Sequence, residues 1–168
     1  MAEKNYAREW YEYGREHNDD PIVKFMLHWV AFNWLYSEYF YTRYARDEET
    51  QEGRIADTQK IKAFCNANYE ILAEYDAFDR DEVEIFMKDA VHDVSTGRRK
   101  EGLFKELTQA RKNSRKQIEC LFLTFYQVRC NLFHGSKSLI DERDINLVKA
   151  ASVLLDGYLQ EVLNKLYK

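Results

Sequence analysis

Residues 114–135 of the chain read SRKQIECLFLTFYQVRCNLFHG. Apolar side chains recur in this stretch every three or four positions, which is the period of an α-helix that buries one face. The apolar positions are Ile118, Leu121, Phe122, Phe125, Val128 and Leu132. This pattern predicts a helix from about Ser114 to Phe133, and Gly135 follows it as a usual helix stop.

Two polar residues near the end of this predicted helix do not fit a simple buried face. Arg129 lies within about 20° of Ile118 on a helical projection, in the middle of the apolar face. Because an unpaired guanidinium in a core costs several kcal/mol, Arg129 must either pair with a carboxylate or point into a cleft or interface. His134 suits the negative end of the helix dipole and is by itself an ordinary C-terminal residue. In a continuous helix the two are about 140° apart, so they converge only if the helix ends between them or two copies of the chain meet.

The rest of the chain repeats this helical periodicity. Further helices are expected at about residues 4–17, 21–45, 55–75 and 142–167, and from Asp81 to a turn at residues 95–97. The chain has only 1 proline and 6 glycines, so it is poor in the residues that separate short strands. Together these features predict an all-α fold, an antiparallel up-and-down bundle of about five or six helices in a single domain over residues 1–168.

Composition and motifs indicate the cellular setting and the chemistry. The three cysteines show no C-x-x-C spacing, which favours a reducing compartment. The most apolar stretch, residues 22–41, contains charged side chains and is expected to be a buried helix rather than a membrane span. The N-terminus has no signal-peptide pattern, so we expect a cytoplasmic protein that does not contact a membrane. No histidine has a partner at metal-ligand spacing and no phosphate-binding loop is present, so neither a metal nor a cofactor is expected.

Charge is distributed unevenly along the chain. The net charge is −4, yet residues 98–116 carry eight Lys or Arg and two Glu. This basic stretch is either a solvated loop and helix face or a surface that contacts phosphates. The second interpretation makes Arg111, Lys112, Arg115 and Lys116 candidate phosphate contacts.

Asn33 is a polar residue on an apolar part of the helix that is predicted to begin at Pro21. On a helical projection it lies about 180° from Lys24. Its neighbours on that side are Ile22, Met26, Trp29 and Phe40. A buried amide needs hydrogen-bond partners, so Asn33 is expected either to tie helices together in the core or to support a functional site from behind.

Residues 126–135, YQVRCNLFHG, resemble the motif of HEPN domains (higher eukaryotes and prokaryotes nucleotide-binding). That motif is an arginine followed after four to six residues by a histidine, at the end of a helix in an all-α bundle. In this chain four residues separate Arg129 from His134. An aromatic helix with Phe32-Asn33 and an amphipathic helix after Lys137 extend the similarity to most of the chain. The resemblance implies an RNase that cuts RNA without a metal, at a composite site formed where two motifs meet across a dimer.

Carried over to this chain, the resemblance makes His134 the acid/base group and Arg129 the residue that stabilises the phosphoryl transition state. Imidazole titrates near neutral pH, and a guanidinium in a desolvated cleft stabilises anionic charge, so the residue types suit these roles. In most members the residue after the arginine is polar, whereas here it is Cys130; the asparagine follows as Asn131, to which we assign a helping role. Family toxins paired with a nucleotidyltransferase antitoxin carry a tyrosine two residues after the histidine, and Ser136 does not match that subgroup.

Three functions are compatible with these residues. The first is a homodimer that cleaves or binds single-stranded RNA through Arg129, Asn131 and His134, with Lys137 and the basic residues 111–116 on its phosphates. The second is a non-catalytic HEPN module that binds an antitoxin, another protein or a nucleotide in a stress or phage-defence system. The third is a helical bundle with a chance likeness, in which Arg129 would lie in a buried ion pair away from any dimer contact.

Overall fold

The computed structural model describes residues 5–44, 55–134 and 141–167, and within these ranges the chain is a helical bundle with one two-stranded antiparallel sheet. The helices are α1 (Tyr6–Glu16), α2 (Pro21–Tyr44), α3 (Asp57–Ala67), α4 (Tyr69–Leu72), α5 (Glu84–Lys88), α6 (Glu101–Gln109), α7 (Arg115–Phe133) and α8 (Glu142–Leu166). The strands are β1 (His92–Asp93) and β2 (Arg98–Arg99). The predicted all-α class is confirmed. None of the helices in these ranges combines the length and the apolar character that a membrane crossing requires.

Side-chain caps set the starts of the long helices. Asp20 accepts hydrogen bonds from the backbone N–H groups of Ile22 and Val23 at 2.9 and 3.2 Å, directly before α2. Ser114 accepts from the N–H of Gln117 at 3.3 Å and begins α7. Asp141 caps α8 in the same way. The predicted starts of these three helices are confirmed, because short polar side chains at a helix N-terminus satisfy N–H groups that have no partner within the helix.

Two predicted helices are wrong in extent. The helix expected over residues 55–75 is interrupted at Asn68, whose side-chain amide donates to the carbonyl oxygen of Phe64 where α3 ends. The helix expected from Asp81 is reduced to 3₁₀ turns followed by the five-residue α5. Gly97, expected to stop that helix, has a φ of +66° and lies instead in the turn between β1 and β2. α6, inside the basic stretch, has no counterpart among the predicted helices.

The bundle has two layers of helices, α1, α2 and α8 in the first and α3, α6 and α7 in the second. In the first layer Lys24 of α2 forms an ion pair with Asp156 of α8 at 2.8 Å. Arg8 of α1 reaches the C-terminal end of α8, where it donates to the carbonyl oxygens of Leu163 at 2.7 Å and of Tyr167 at 3.1 Å. These contacts close the first layer by joining the two ends of the described chain.

Aromatic side chains join the two layers. Phe32 of α2 is 1 % exposed and contacts Phe64 of α3 and Phe122 of α7, at 5.6 and 4.9 Å between ring centroids. Such ring pairs add about 0.5–1.5 kcal/mol each to the area they bury. These contacts hold the middle of α7 in the core between the two layers.

Gly157 is a position where the fold leaves no room for a side chain. A Cβ atom added there would overlap the ring of Tyr75, which packs edge-on against Tyr158 at 4.9 Å between centroids. We expect Gly157→Ala to lower the free energy of unfolding by about 1–3 kcal/mol, because the buried ring must move. Gly102→Ala is the matched control, since a Cβ at Gly102 meets nothing within 4 Å. Urea unfolding measures both, and equal midpoints for the two variants would contradict the close packing.

His28 is buried between α1 and α2. Its side chain is 0 % exposed, its ring stacks on Tyr11 at 5.0 Å between centroids, and its Nε2 lies 3.3 Å from the carbonyl oxygen of Tyr11. Burial lowers the pKa of His28 from 6.5 to about 4, and the opposing field of the Asp156 carboxylate only partly offsets this. His28 is therefore neutral in the folded protein at pH 7.

This buried histidine makes stability depend on pH. Between pH 6.5 and about 4 the unfolded chain binds a proton at residue 28 and the folded chain does not. The contribution of neutral His28 is therefore fully present above pH 6.5 and is lost as the pH falls towards 4. We expect His28→Gln to flatten the decline of the urea midpoint over this range, with His17→Gln as the control at a less buried site. An equal decline in wild type and His28→Gln would contradict the prediction.

Candidate active site at the end of helix α7

Arg129 lies half-buried on the last turns of α7. Its guanidinium carbon stands 4.3 Å from the centroid of the Phe133 ring, one turn further along the helix. Its Nη1 is 3.9 Å from the Sγ of Cys130, and its Nε is buried without a hydrogen-bond partner among the described residues. On this largely apolar side of α7 the guanidinium of Arg129 contacts an aromatic ring, which attracts the cation through its π face.

The described residues contain no carboxylate in ion-pair contact with Arg129. Asp57, at the start of α3, is close enough to raise the pKa of Tyr36 and of Tyr126. Its carboxylate lies 4.0 Å from the ammonium of Lys60 and does not pair with Arg129. Of the two outcomes expected for Arg129, the buried ion pair is therefore not found in this part of the chain. The neighbours of Arg129 among the described residues are the Phe133 ring and the Cys130 thiol.

Two tyrosines that the sequence did not single out are close enough to interact electrostatically with this arginine. Tyr36 of α2 is 0 % exposed, and burial raises the pKa of its phenol, although Arg129 lowers it. Burial also raises the pKa of Tyr126 to about 12, with a further contribution from Cys130. Both phenols therefore remain protonated donors at neutral pH. Tyr126 stands three positions before Arg129 and could have been found from helical spacing, whereas Tyr36 comes from another helix and could not.

Asn33 is not buried, so the prediction of a core position is wrong. It is exposed on α2, and its side-chain oxygen accepts a hydrogen bond from the hydroxyl of Tyr36. Its expected neighbours Ile22, Met26 and Phe40 are themselves only half-buried, so this side of α2 is the edge of the core. A supporting role for Asn33 would act through Tyr36, which lies beside Arg129.

His134 lies directly after the last helical residue of α7. Its backbone N–H donates to the carbonyl oxygen of Cys130 at 3.1 Å, while its side chain is exposed and has no partner among the described residues. α7 continues without a break through Phe133, so the helix does not end between Arg129 and His134. The two side chains consequently leave one copy of the helix in directions about 140° apart.

Asn131 is directed away from Arg129 and makes three hydrogen bonds. It is 3 % exposed, its Nδ2 donates to the carbonyl oxygen of His92 at 2.7 Å, and its Oδ1 accepts from the N–H of Val94 at 3.1 Å. The Oδ1 also accepts from Nε2 of Gln127 at 2.9 Å. These bonds hold the hairpin of β1 and β2 against α7, and they leave little capacity for a substrate.

The predicted phosphate contacts of the basic stretch do not lie beside Arg129. Arg115 and Lys116 stand at the start of α7, so about 21 Å of helix separates Arg115 from Arg129. Carboxylates also neutralise most of this cluster: Lys112 pairs with Asp79, Arg115 with Glu70 at 3.3 Å, and Lys116 with Glu106 at 2.8 Å. Arg111 is exposed and has no ion pair among the described residues. Lys137 lies outside the described residues.

Comparisons with known proteins give no information on the chemistry of this site, so it is argued from the residues of this chain. Within residues 5–44, 55–134 and 141–167, no group of three or more His, Cys, Asp or Glu side chains is placed to hold a metal ion. The chain matches no protein-family model, no curated protein and no solved structure.

Proposed function

We propose that the chain is a metal-independent RNA endonuclease of HEPN type whose site is completed by a second copy of the chain. The observation that carries the proposal is the state of Arg129. A half-buried guanidinium with no carboxylate partner among the described residues, five positions before the exposed His134, is a cationic group available to an anionic ligand.

The residue types suit cleavage of a phosphodiester next to a 2′-hydroxyl. The 2′-oxygen bonds to phosphorus, the bond from phosphorus to the 5′-oxygen breaks, and the products are a cyclic phosphate and a free 5′-hydroxyl. One group must take the proton from the 2′-hydroxyl and another must give one to the leaving 5′-oxygen. The imidazole of His134 can serve in either role. Arg129 would donate hydrogen bonds to the phosphoryl oxygens as their negative charge increases.

The geometry of α7 favours a site made by two copies. Because the helix is continuous through Phe133, one copy cannot direct Arg129 and His134 at the same phosphate. In a two-fold dimer each surface meets its own equivalent, so the two α7 ends can face each other and bring an arginine and a histidine together.

The proposal is tested by incubating the purified protein with RNA in EDTA. We expect cleavage by wild type and loss of cleavage in His134→Ala, with both proteins matched for helicity and for oligomeric state by sedimentation. No cleavage by wild type on several single-stranded and structured RNAs would overturn the proposal. Equal cleavage by both proteins would overturn the role of His134 and indicate a contaminating nuclease or another site.

One observation favours a second candidate, a non-catalytic module that binds a protein partner. Six large hydrophobic side chains of α1 and α2 are exposed: Tyr6, Trp10, Tyr13, Val23, Val30 and Tyr41. Exposed apolar side chains concentrated on one pair of helices are typical of a protein-binding surface. If this is the function, Trp10→Ala would weaken partner binding and His134→Ala would leave partner binding unchanged.

A further inference from the structure

The hairpin formed by β1 and β2 is fixed to the same end of α7 as the candidate active site. Asn131 bonds the hairpin at His92 and Val94, and it lies one helical turn before His134. Residues three apart on a helix are neighbours on its surface. The hairpin therefore stands beside the turn of α7 that leads into His134.

Most charges on this hairpin are already paired and serve to hold its shape. Arg99 pairs with Asp89 and with Glu101, at 2.9 Å for the second acid. Lys100 pairs at 2.9 Å with Asp93, the last residue of β1. These ion pairs fix both strands to the segments that flank them.

Arg98 is the exception. Its side chain is exposed on β2, opposite Asp93 in the strand register, and it has no hydrogen bond or ion pair with any described residue. An exposed guanidinium without a carboxylate partner keeps its full charge for an outside anion. Arg80 is also exposed and has no ion pair with a described residue, but its guanidinium lies over the ring of Tyr75 at 4.6 Å.

We propose that Arg98 contacts a phosphate of the RNA strand bound at the end of α7, and that Asn131 is the positioning residue that holds the hairpin for this contact. This inference rests on the proposed nuclease function. It replaces the cluster at residues 111–116, most of which carboxylates neutralise, as the phosphate-binding element at the end of α7 that carries His134.

Binding is measured by fluorescence anisotropy with a fluorescein-labelled oligouridylate, on the His134→Ala background so that the probe stays intact. We expect Arg98→Ala to raise Kd roughly tenfold at low salt, because a charge-assisted hydrogen bond is lost. The slope of log Kd against log salt should fall by about 0.7, which is one phosphate contact on a single strand. Arg80→Ala, the matched control at an arginine that is not assigned to RNA, should change neither quantity.

Cleavage assays on the active protein separate the two proposals. Arg98→Ala should raise KM and leave kcat near the wild-type value, since the contact is remote from the reacting bond. If wild type cleaves and His134→Ala does not, but Arg98→Ala and Arg80→Ala give equal Kd values, this inference is overturned and the nuclease function stands. If wild type neither binds nor cleaves RNA, both are overturned.

A double-mutant cycle tests the positioning role of Asn131. Asn131→Ala alone should weaken binding of the oligouridylate, because the bonds to His92 and Val94 are lost. Combined with Arg98→Ala it should add no further loss, since Asn131 acts through Arg98. Additive losses would overturn the positioning role, and if Asn131→Ala does not fold, the comparison of Arg98→Ala with Arg80→Ala decides the proposal.

Discussion

Replacing His134 by alanine should lower the rate of RNA cleavage by about 10²–10⁴-fold, which is the usual contribution of one general acid or base. The change should not unfold the protein, because the side chain is exposed and bonds to no described residue. Surface changes of this kind usually alter the free energy of unfolding by less than about 0.5 kcal/mol. Activity and stability should therefore separate, and initial cleavage rates together with urea midpoints measure both.

The matched control for this prediction is His17→Ala. His17 follows the last residue of α1 just as His134 follows the last residue of α7, so both changes remove an imidazole at a helix C-terminus. Any general effect of losing a histidine at the C-terminus of a helix will appear in both variants. Equal rates for the two variants would refute the assignment of His134 as the acid or base.

Arg129→Ala should lower the cleavage rate by about 10²–10³-fold, the effect of removing one donor that stabilises transition-state charge. Arg129→Lys should not restore the rate, because an ammonium cannot donate two parallel hydrogen bonds to a phosphate as a guanidinium does. Stability should change little, since the described residues give Arg129 a ring and a thiol as partners but no carboxylate. Breaking a buried ion pair would instead cost about 3–5 kcal/mol.

Arg115→Ala provides the comparison on the same helix. Arg115 lies over the ring of Tyr69 at 4.5 Å, as Arg129 lies over Phe133 at 4.3 Å, but at the opposite end of α7. We expect Arg115→Ala to leave the cleavage rate unchanged. A loss of several kcal/mol in Arg129→Ala, with activity lost only through unfolding, would show that the arginine is structural.

Local signals in the sequence were sufficient for the long helices. Asp20 before Pro21 and Asp141 before α8 are caps whose chemistry acts within a few residues, so the starts of these helices could be predicted. The hairpin of β1 and β2 could not, because its strands have two residues each and Asn131, a residue 37 positions beyond Val94, holds them in place. A hydrogen bond between residues so far apart in the chain leaves no periodic pattern in the sequence.

In the candidate site, too, some features could be predicted from the sequence and others could not. The position of Arg129 on α7 follows from helical geometry, and so does its separation from His134. Its surroundings do not, since Tyr36 and Asp57 come from helices whose packing the sequence does not show. Asn33 illustrates the limit, because its helical neighbours are apolar and yet lie at the edge of the core.

The bonds from Arg8 to the end of α8 have a consequence for synthesis of the chain. Arg8 and Leu163 are 155 residues apart, so α1 gains this partner only after α8 has been made. Until then α1 and α2 expose the surface that α8 will cover, a state prone to aggregation. The nascent chain is therefore expected to complete its first layer only once α8 has emerged from the ribosome, and to depend on chaperones until that point.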